Sequence, residues 1–307
     1  MGLGRVESST IGERCGFLDD SSGTALAGAI EANQVAQLSL LARTNNGKLE
    51  SHEKLMWFVS GIPSGGLNGV GRAQLSALDI GVAIKDILHT FKLHHVPMTW
   101  WVGPSASPSD LEQHLLANGL IHAGHLRGMA IDLRQPLGES RRRRDLTIEP
   151  ATDAATLETF MNVFAAGFGL KQHGICEALL DLWRVIASSR YPCIRHYIAS
   201  LKQEPVAIFS LLFAEGVAGI YHVTTIPRAR RQGIGTALVS KAIEEARRAG
   251  LRFATLVAAQ SAVGLYRRIG FEEYCTFRLY GWAPVSRGAF LTSMIRAKHF
   301  LKRFVTI

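Results

Sequence analysis

The run Arg230-Arg231-Gln232-Gly233-Ile234-Gly235-Thr236-Ala237-Leu238 constrains the fold more than any other stretch of this chain. It follows an extended apolar segment, Ala218 to Ile226, closed by Pro227, and opens an amphipathic segment that ends near Arg248. A strand therefore feeds a helix through a turn holding two glycines one residue apart. Glycine's freedom at positive φ lets such a turn aim several backbone N–H groups outward together. The helix dipole behind them favours an anion in front, so Gly233, Ile234, Gly235 and Thr236 form an anion cradle suited to a diphosphate. Arg230, Arg231 and Gln232 stand at its lip, the arginines adding charge where phosphate oxygens would sit.

Three kinds of Gly-rich loop compete for this pattern. A P-loop needs Lys and then Ser or Thr after its last glycine, and Gly235 is followed by Thr-Ala-Leu. A dinucleotide fingerprint needs a third small residue where Leu238 stands. What remains is Arg-x-x-Gly-x-Gly at a strand-to-helix junction, beside the plain alternative of a Gly-rich turn that merely starts a helix. A second signature lies downstream: Ser261-Ala-Val-Gly-Leu-Tyr266-Arg-Arg-Ile-Gly270-Phe271, a tyrosine followed four residues later by Gly-Phe. Together and in this order, separated by a helix and a strand, the two motifs resemble those of the GNAT superfamily of acyl-CoA N-acyltransferases.

Around the motifs the sequence reads as an α/β chain divided near residues 135–145, into 1–140 and 141–307 with a core at 146–282. The second part gives strand Leu146–Glu149, helices within Ala154–Ala166 and Cys176–Ala187, and strands near Ile194–Ala199, Pro205–Phe213 and Ala218–Ile226. The helix that follows the cradle has an apolar stripe at Leu238, Val239, Ala242, Ile243, Ala246 and Ala249, with charged residues opposite and Gly250 as its stop. Strand Phe253–Ala258, helix Ala262–Ile269 and strands within Phe271–Trp282 complete the order of the GNAT fold, a mixed sheet flanked by helices.

The first part is looser. Helix Ala25–Ala42 and strand Met56–Ile62 lead to a Gly-rich loop, Gly65–Arg72, and a helix within Leu75–Leu93. Strand Met98–Val102, helix Ser109–Asn118 and strand Met129–Leu133 follow. This strand and helix grammar matches the later part of a GNAT domain, but the loop offers no Arg-x-x-Gly-x-Gly in register. The expectation is a tandem chain whose N-terminal, degenerate GNAT-like domain has lost the acyl-CoA site. An unrelated α/β domain is the alternative. Residues 283–307 suggest a C-terminal helix docked on the core.

Composition narrows the function classes. With 47% hydrophobic and 19% charged residues over 307 positions, the chain is that of a globular protein. Cys15, Cys176, Cys193 and Cys275 form no C-x-x-C pair, which fits a reducing compartment and offers no thiolate metal site. Neither the His94-His95 pair nor the group His114, His122 and His125 has zinc spacing, so no metal is expected. The first 25 residues lack an apolar signal region, and the longest apolar run, Val206 to Ala214, is too short for a bilayer. A cytoplasmic protein without a membrane or nucleic-acid partner is the expectation, as monomer or homodimer. The formal charge of +9 is largely local, in Arg141–Arg144, Arg228–Arg231 and the C-terminal tail. The first block reads as a solvated linker, and an anionic small molecule accounts for the second.

The resemblance implies acetyl-CoA as cosubstrate and a primary amine, in a small molecule or at a peptide N-terminus, as acceptor. By the family's pattern the backbone of Val223 and Thr225 would hold the pantetheine arm and the thioester carbonyl. Ser261 would be a cofactor contact, with either Gln260 or Ser261 supplying the hydrogen bond of an asparagine common in relatives, and Tyr266 would be the general acid for the departing thiolate. An unperturbed tyrosine and a thiol have similar acidities, so that transfer would be nearly balanced. His222, on the strand itself, is the candidate base. Phe164, Phe168, Trp183 and Tyr280 are candidate pocket residues. A non-catalytic acyl-CoA-binding module is the alternative, and a tandem enzyme similar to mycothiol synthase is a narrower one.

Overall fold

The computed structural model describes residues 16–136, 145–170, 173–188 and 193–284. The Arg141–Arg144 linker, Cys15 and most of the C-terminal segment lie outside the described residues. The first half holds α1 (Gly23–Leu40), β1 (Lys48–Ser51), β2 (Leu55–Val59), β3 (Gly69–Ala73) and α2 (Ile80–Leu93), followed by β4 (Met98–Val102), α3 (Leu111–Ala117) and β5 (Ile121–Asp132). The second half holds β6 (Leu146–Ala151), α4 (Ala154–Phe168), α5 (His173–Ser188), β7 (Ile194–Leu201), β8 (Glu204–Ala214) and β9 (Val217–Thr225). It continues through α6 (Ile234–Arg248), β10 (Phe253–Ala258), α7 (Gln260–Ile269) and β11 (Glu272–Trp282).

All the strands join one mixed sheet in the order β1-β2-β3-β4-β11-β5-β10-β9-β8-β7-β6. The halves interleave at its centre. Strand β5 from the first half pairs antiparallel with both β10 and β11, while β11 from the second pairs with β4 and β5. The parallel pairs β3–β4 and β9–β10 flank this centre on either side. The sequence pattern marks only the C-terminal end of β5, as Met129–Leu133, because its outer part, Ile121-His-Ala-Gly-His, alternates weakly between apolar and polar residues. It also missed β3. Glycines read as loop formers there serve a close approach: a Cβ on Gly69 would lie 2.0 Å from the carbonyl oxygen of Thr99 on β4.

The core likewise ignores the division of the chain. Leu26, Ile30, Leu38 and Leu41 of the first half share one apolar cluster with Phe160, Phe164, Trp183, Leu238 and Tyr266 of the second. A smaller cluster around Ile84, Phe91, Trp100 and Leu115 takes in Tyr280 of β11. Tyr280 thus packs in the first half's core, away from the pocket expected for it. Helix α1 lies across the sheet, packing on strands from both halves. Its fastener is Asn33, fully buried, whose Nδ2 donates to the Ala214 carbonyl at 2.8 Å and whose Oδ1 accepts from the Tyr221 hydroxyl at 2.7 Å.

Candidate functional site

The ladder between β9 and β10 is short. Its register pairs are Ala254 with Ala218 and Thr255 with Gly219, after which the strands splay. Beyond that point β9 carries a bulge, because Ile208 faces Thr224 and Ser210 faces Tyr221, so two residues of β9 oppose one of β8. His222 is the bulged residue, with φ of +56°, a left-handed conformation that β-branched residues avoid. The splay and the bulge leave a gap in the sheet where backbone groups of residues 220–225 have no ladder partner on β10.

The cradle lies at the open end of this gap. Gly233 is the N-cap of α6 in the left-handed region, φ +77°, and a Cβ there would meet nothing within 4 Å. It brings no side chain, so none caps the helix, and the N–H groups of the first turn are left for an incoming acceptor. Thr225, Arg231, Gly235, Thr236, Ser261 and Arg268 line a cavity of about 1100 Å³ with it, counted to its open mouth. The Thr225 hydroxyl on this wall is buried without a hydrogen-bond partner. These features fit a diphosphate: first-turn donors without a side-chain cap, a cavity open to solvent in front of them, and exposed arginines from two helix ends.

Arg230 stands differently from its neighbour. Its Nε donates to the Thr225 carbonyl at 2.9 Å and its Nη2 to the Gly167 carbonyl at 2.7 Å, clamping the loop to β9 and to the end of α4. Arg231 is exposed and stands in the left-handed region. Arg268, which no sequence argument picked out, faces the same cavity from α7. Its signal was present, as a basic residue two positions after Tyr266 in the second motif. Gln232 is exposed, and its Nε2 donates to the Arg228 carbonyl. Ile234 is buried and anchors the helix start. Gln260 accepts a 3.4 Å hydrogen bond from Arg127, whereas Ser261 lines the cradle.

On the far side of the gap a second cavity, about 870 Å³ to its mouth, is lined by residues of both halves. Tyr266, His222, Val223, Phe164 and Trp183 come from the second half, and Gln34, Gln37 and Trp101 from the first. Phe168 is buried against Phe164, with ring centroids 4.7 Å apart, just behind this wall. Tyr266 is 5% exposed, and burial pushes its hydroxyl well above the usual tyrosine range. The near-balance with a thiol expected from unperturbed values therefore does not describe this tyrosine.

Burial acts on His222 as well. Burial pushes its pKa down to about 4, so the ring is neutral and a weak base at pH 7. Its Nδ1 lies 3.0 Å from the Ser210 hydroxyl, which is also 2.7 Å from Nδ1 of His196. His196, pushed to about 3 by burial and by His222, packs against Phe160 and Trp183. Ser210 thus bridges two neutral histidines behind the bulge. Glu215 forms the β8–β9 turn with Gly216, both at positive φ, roughly 30 Å along β9 from the cradle.

The first half has a corresponding gap, and it is closed. After Gly69–Thr99 and Val70–Trp100 the strands β3 and β4 also part. There Ser107 donates to the Ala73 carbonyl at 3.1 Å and accepts from the Leu75 N–H at 2.9 Å, so the chain's own loop occupies the space. The following helix starts at Asp79, a carboxylate where the other half has Gly233. Among the described residues no group of three His, Cys, Asp or Glu side chains could hold a metal, and no helix is long and apolar enough to cross a membrane.

Residues 159–271 match the model of the acetyltransferase (GNAT) family. An uncharacterized N-acetyltransferase of Methanocaldococcus jannaschii is 45% identical over 60 residues, a segment covering 19% of this chain and 26% of that protein. A GCN5-related N-acetyltransferase from Kribbella flavida superposes with a TM-score of 0.63 at 18% identity, over 84% of this chain and 98% of that one. A tandem GNAT protein from the clavulanic acid biosynthesis pathway gives 0.55 at 15% identity, over 87% and 96%. These two structural likenesses concern the fold, a mixed sheet flanked by helices in a tandem arrangement. The family match falls on the half that holds the open gap and its cradle, so residues 159–271 form a region similar to the GNAT family.

Proposed function

We propose that the chain is an acetyl-CoA-dependent N-acetyltransferase with one reaction centre, in the second half. The observation that carries this reading is the uncapped, glycine-led start of α6 opening onto the β9–β10 gap, with Tyr266 at the far side of that gap. First-turn N–H groups with Arg231 and Arg268 would hold the diphosphate. Backbone groups of Val223 and Thr225 would hold the pantetheine arm like an added strand, and an N–H at the bulge would polarise the thioester carbonyl. The acceptor would enter by the cavity shared between the halves. Its nitrogen attacks the carbonyl carbon directly, an N–C bond forms, the C–S bond breaks, and the thiolate takes its proton from Tyr266. The surplus proton on nitrogen passes to solvent and the tyrosine is reprotonated, so the products are the N-acetyl amide and the free thiol.

In this reading His222 shapes the bulge through Ser210 and does not act as the base. The first half contributes a cavity wall and binds no acyl-CoA of its own, its gap being filled by Ser107. The expected location is the cytoplasm. Thiol release from acetyl-CoA over a panel of amines tests the proposal. Turnover with at least one amine, abolished in large part by Tyr266→Phe, is the expected result. Tight acetyl-CoA binding with no amine-stimulated turnover would instead favour a non-catalytic acyl-CoA-binding module.

A further inference from the structure

The cavity beyond Tyr266 has walls of an unusual kind for a site that receives an amine. None of its lining residues is Asp, Glu, Lys or Arg. Trp101, Phe164, Trp183 and Tyr221 line it together with aliphatic side chains such as Leu38, Leu126 and Val257. An ammonium ion buried here would lose its hydration and find no carboxylate. The attraction of aromatic faces for a cation is worth far less than such a desolvation cost. Nor does the lining offer a group able to take a proton from an alkylammonium. His222 is neutral and pushed down to about 4 by its burial. Tyr221 is committed to Asn33.

The polar groups present are neutral and paired. Gln34 and Gln37, one turn apart on α1 and both nearly buried, join through Nε2 and Oε1 at 3.3 Å. That leaves one carboxamide acceptor, on Gln34, and one carboxamide donor, on Gln37, on the cavity wall without a protein partner among the described residues. Such a pair complements an amide-like group on a ligand, which offers a donor and an acceptor side by side.

Resting on the acetyltransferase reading above, we infer that the acceptor is an uncharged aromatic amine of low basicity bearing a carboxamide-like group, anchored by Gln34 and Gln37 from the first half. Such a nitrogen arrives with its lone pair free, so no base is needed before attack. After attack its surplus proton is acidic enough to leave to solvent. Polyamines, aminoglycosides and lysine side chains are disfavoured because each must shed both a proton and a hydration shell.

The experiment uses the full chain and measures thiol release above the uncatalysed rate for para-aminobenzamide, aniline, benzylamine and spermidine, with acetyl-CoA binding measured separately by calorimetry. The inference expects kcat/KM to fall in the order given, with para-aminobenzamide at least about tenfold above benzylamine. The substitution Gln37→Glu places a carboxylate in the cavity and is expected to raise benzylamine relative to aniline. Equal or better turnover of benzylamine or spermidine overturns the inference while leaving the acetyltransferase reading intact. Acetyl-CoA binding without turnover of either aromatic amine also overturns it. Failure to bind acetyl-CoA at all instead removes the reading on which it rests.

Discussion

Two adjacent arginines at the cradle do different work, and their substitutions separate stability from binding. Removing the Arg230 guanidinium leaves the Thr225 and Gly167 carbonyls without their charged donor. Hydrogen bonds to charged groups contribute roughly 1.5–3 kcal/mol each, less where water can replace the donor. Arg230→Ala should therefore lower the melting temperature by several degrees, as thermal denaturation would read. Arg231→Ala should leave that temperature unchanged and weaken acetyl-CoA several-fold. Tyr266→Phe should lower kcat by about a hundredfold or more, the usual range for a positioned general acid, with acetyl-CoA affinity intact. An unchanged kcat would remove Tyr266 from the chemistry.

The histidine pair predicts a pH dependence of stability. Both pKa values are depressed in the folded state, to about 3 for His196 and about 4 for His222. The unfolded chain takes up these protons near pH 6.5, so stability is full above that pH and is lost as pH falls towards the folded values. At pH 5 each histidine should cost about 2 kcal/mol. Ser210, Phe160, Phe164, Trp183 and Tyr221 are among the groups that face them, and none of these five offsets a charge. Chemical denaturation at pH 7 and pH 5 should show this drop, and His196→Gln should reduce it by about half.

At the scale of elements, α1 is the part whose role the sequence concealed. Its length was legible, since Ala25–Ala42 was expected and Gly23–Leu40 forms, but its hydrogen-bond partners Ala214 and Tyr221 lie 181 and 188 residues from Asn33 and no local pattern announces them. Asn33, Gln34 and Gln37 are polar residues within that helix, and no local signal in the sequence marks them as buried. They are buried because α1 lies over strands of the second half. Asn33→Ala should destabilise the chain by roughly 2–3 kcal/mol, through loss of buried hydrogen bonds to Ala214 and Tyr221. It should also raise the KM for the acceptor more than that for acetyl-CoA. Equal effects on both would argue that α1 merely supports the fold. By contrast, α6, β10 and the motif glycines were legible almost to the residue, because amphipathic period, Gly stops and turn chemistry are all local signals. The bulge at His222 was not legible: it depends on the register between β8 and β9, which a single strand does not encode.

For the whole molecule, the proposed division into 1–140 and 141–307 describes chain order, while the sheet runs through both. A fragment beginning at residue 145 would leave β11 with neither of its partners, expose the edge of β10 that β5 covers, and lose α1 from its main core. Such a fragment should not unfold cooperatively alone, and should regain structure when the first half is supplied. A cooperative transition for the isolated second half would show that the interleaving is dispensable. The tandem character was visible in the repeated strand and helix grammar. The shared sheet was not, because pairings as distant in sequence as Phe253 with Asp132 and Trp282 with Met98 leave no trace in either segment alone.

The central claim is that one of the two related gaps in this sheet holds acyl-CoA and the other is closed by its own chain. Calorimetric titration of the full chain with acetyl-CoA tests it most directly. One site per chain is expected, weakened at least about tenfold by Arg231→Glu without a change in melting temperature. Two sites per chain, or an affinity indifferent to that substitution, would contradict it.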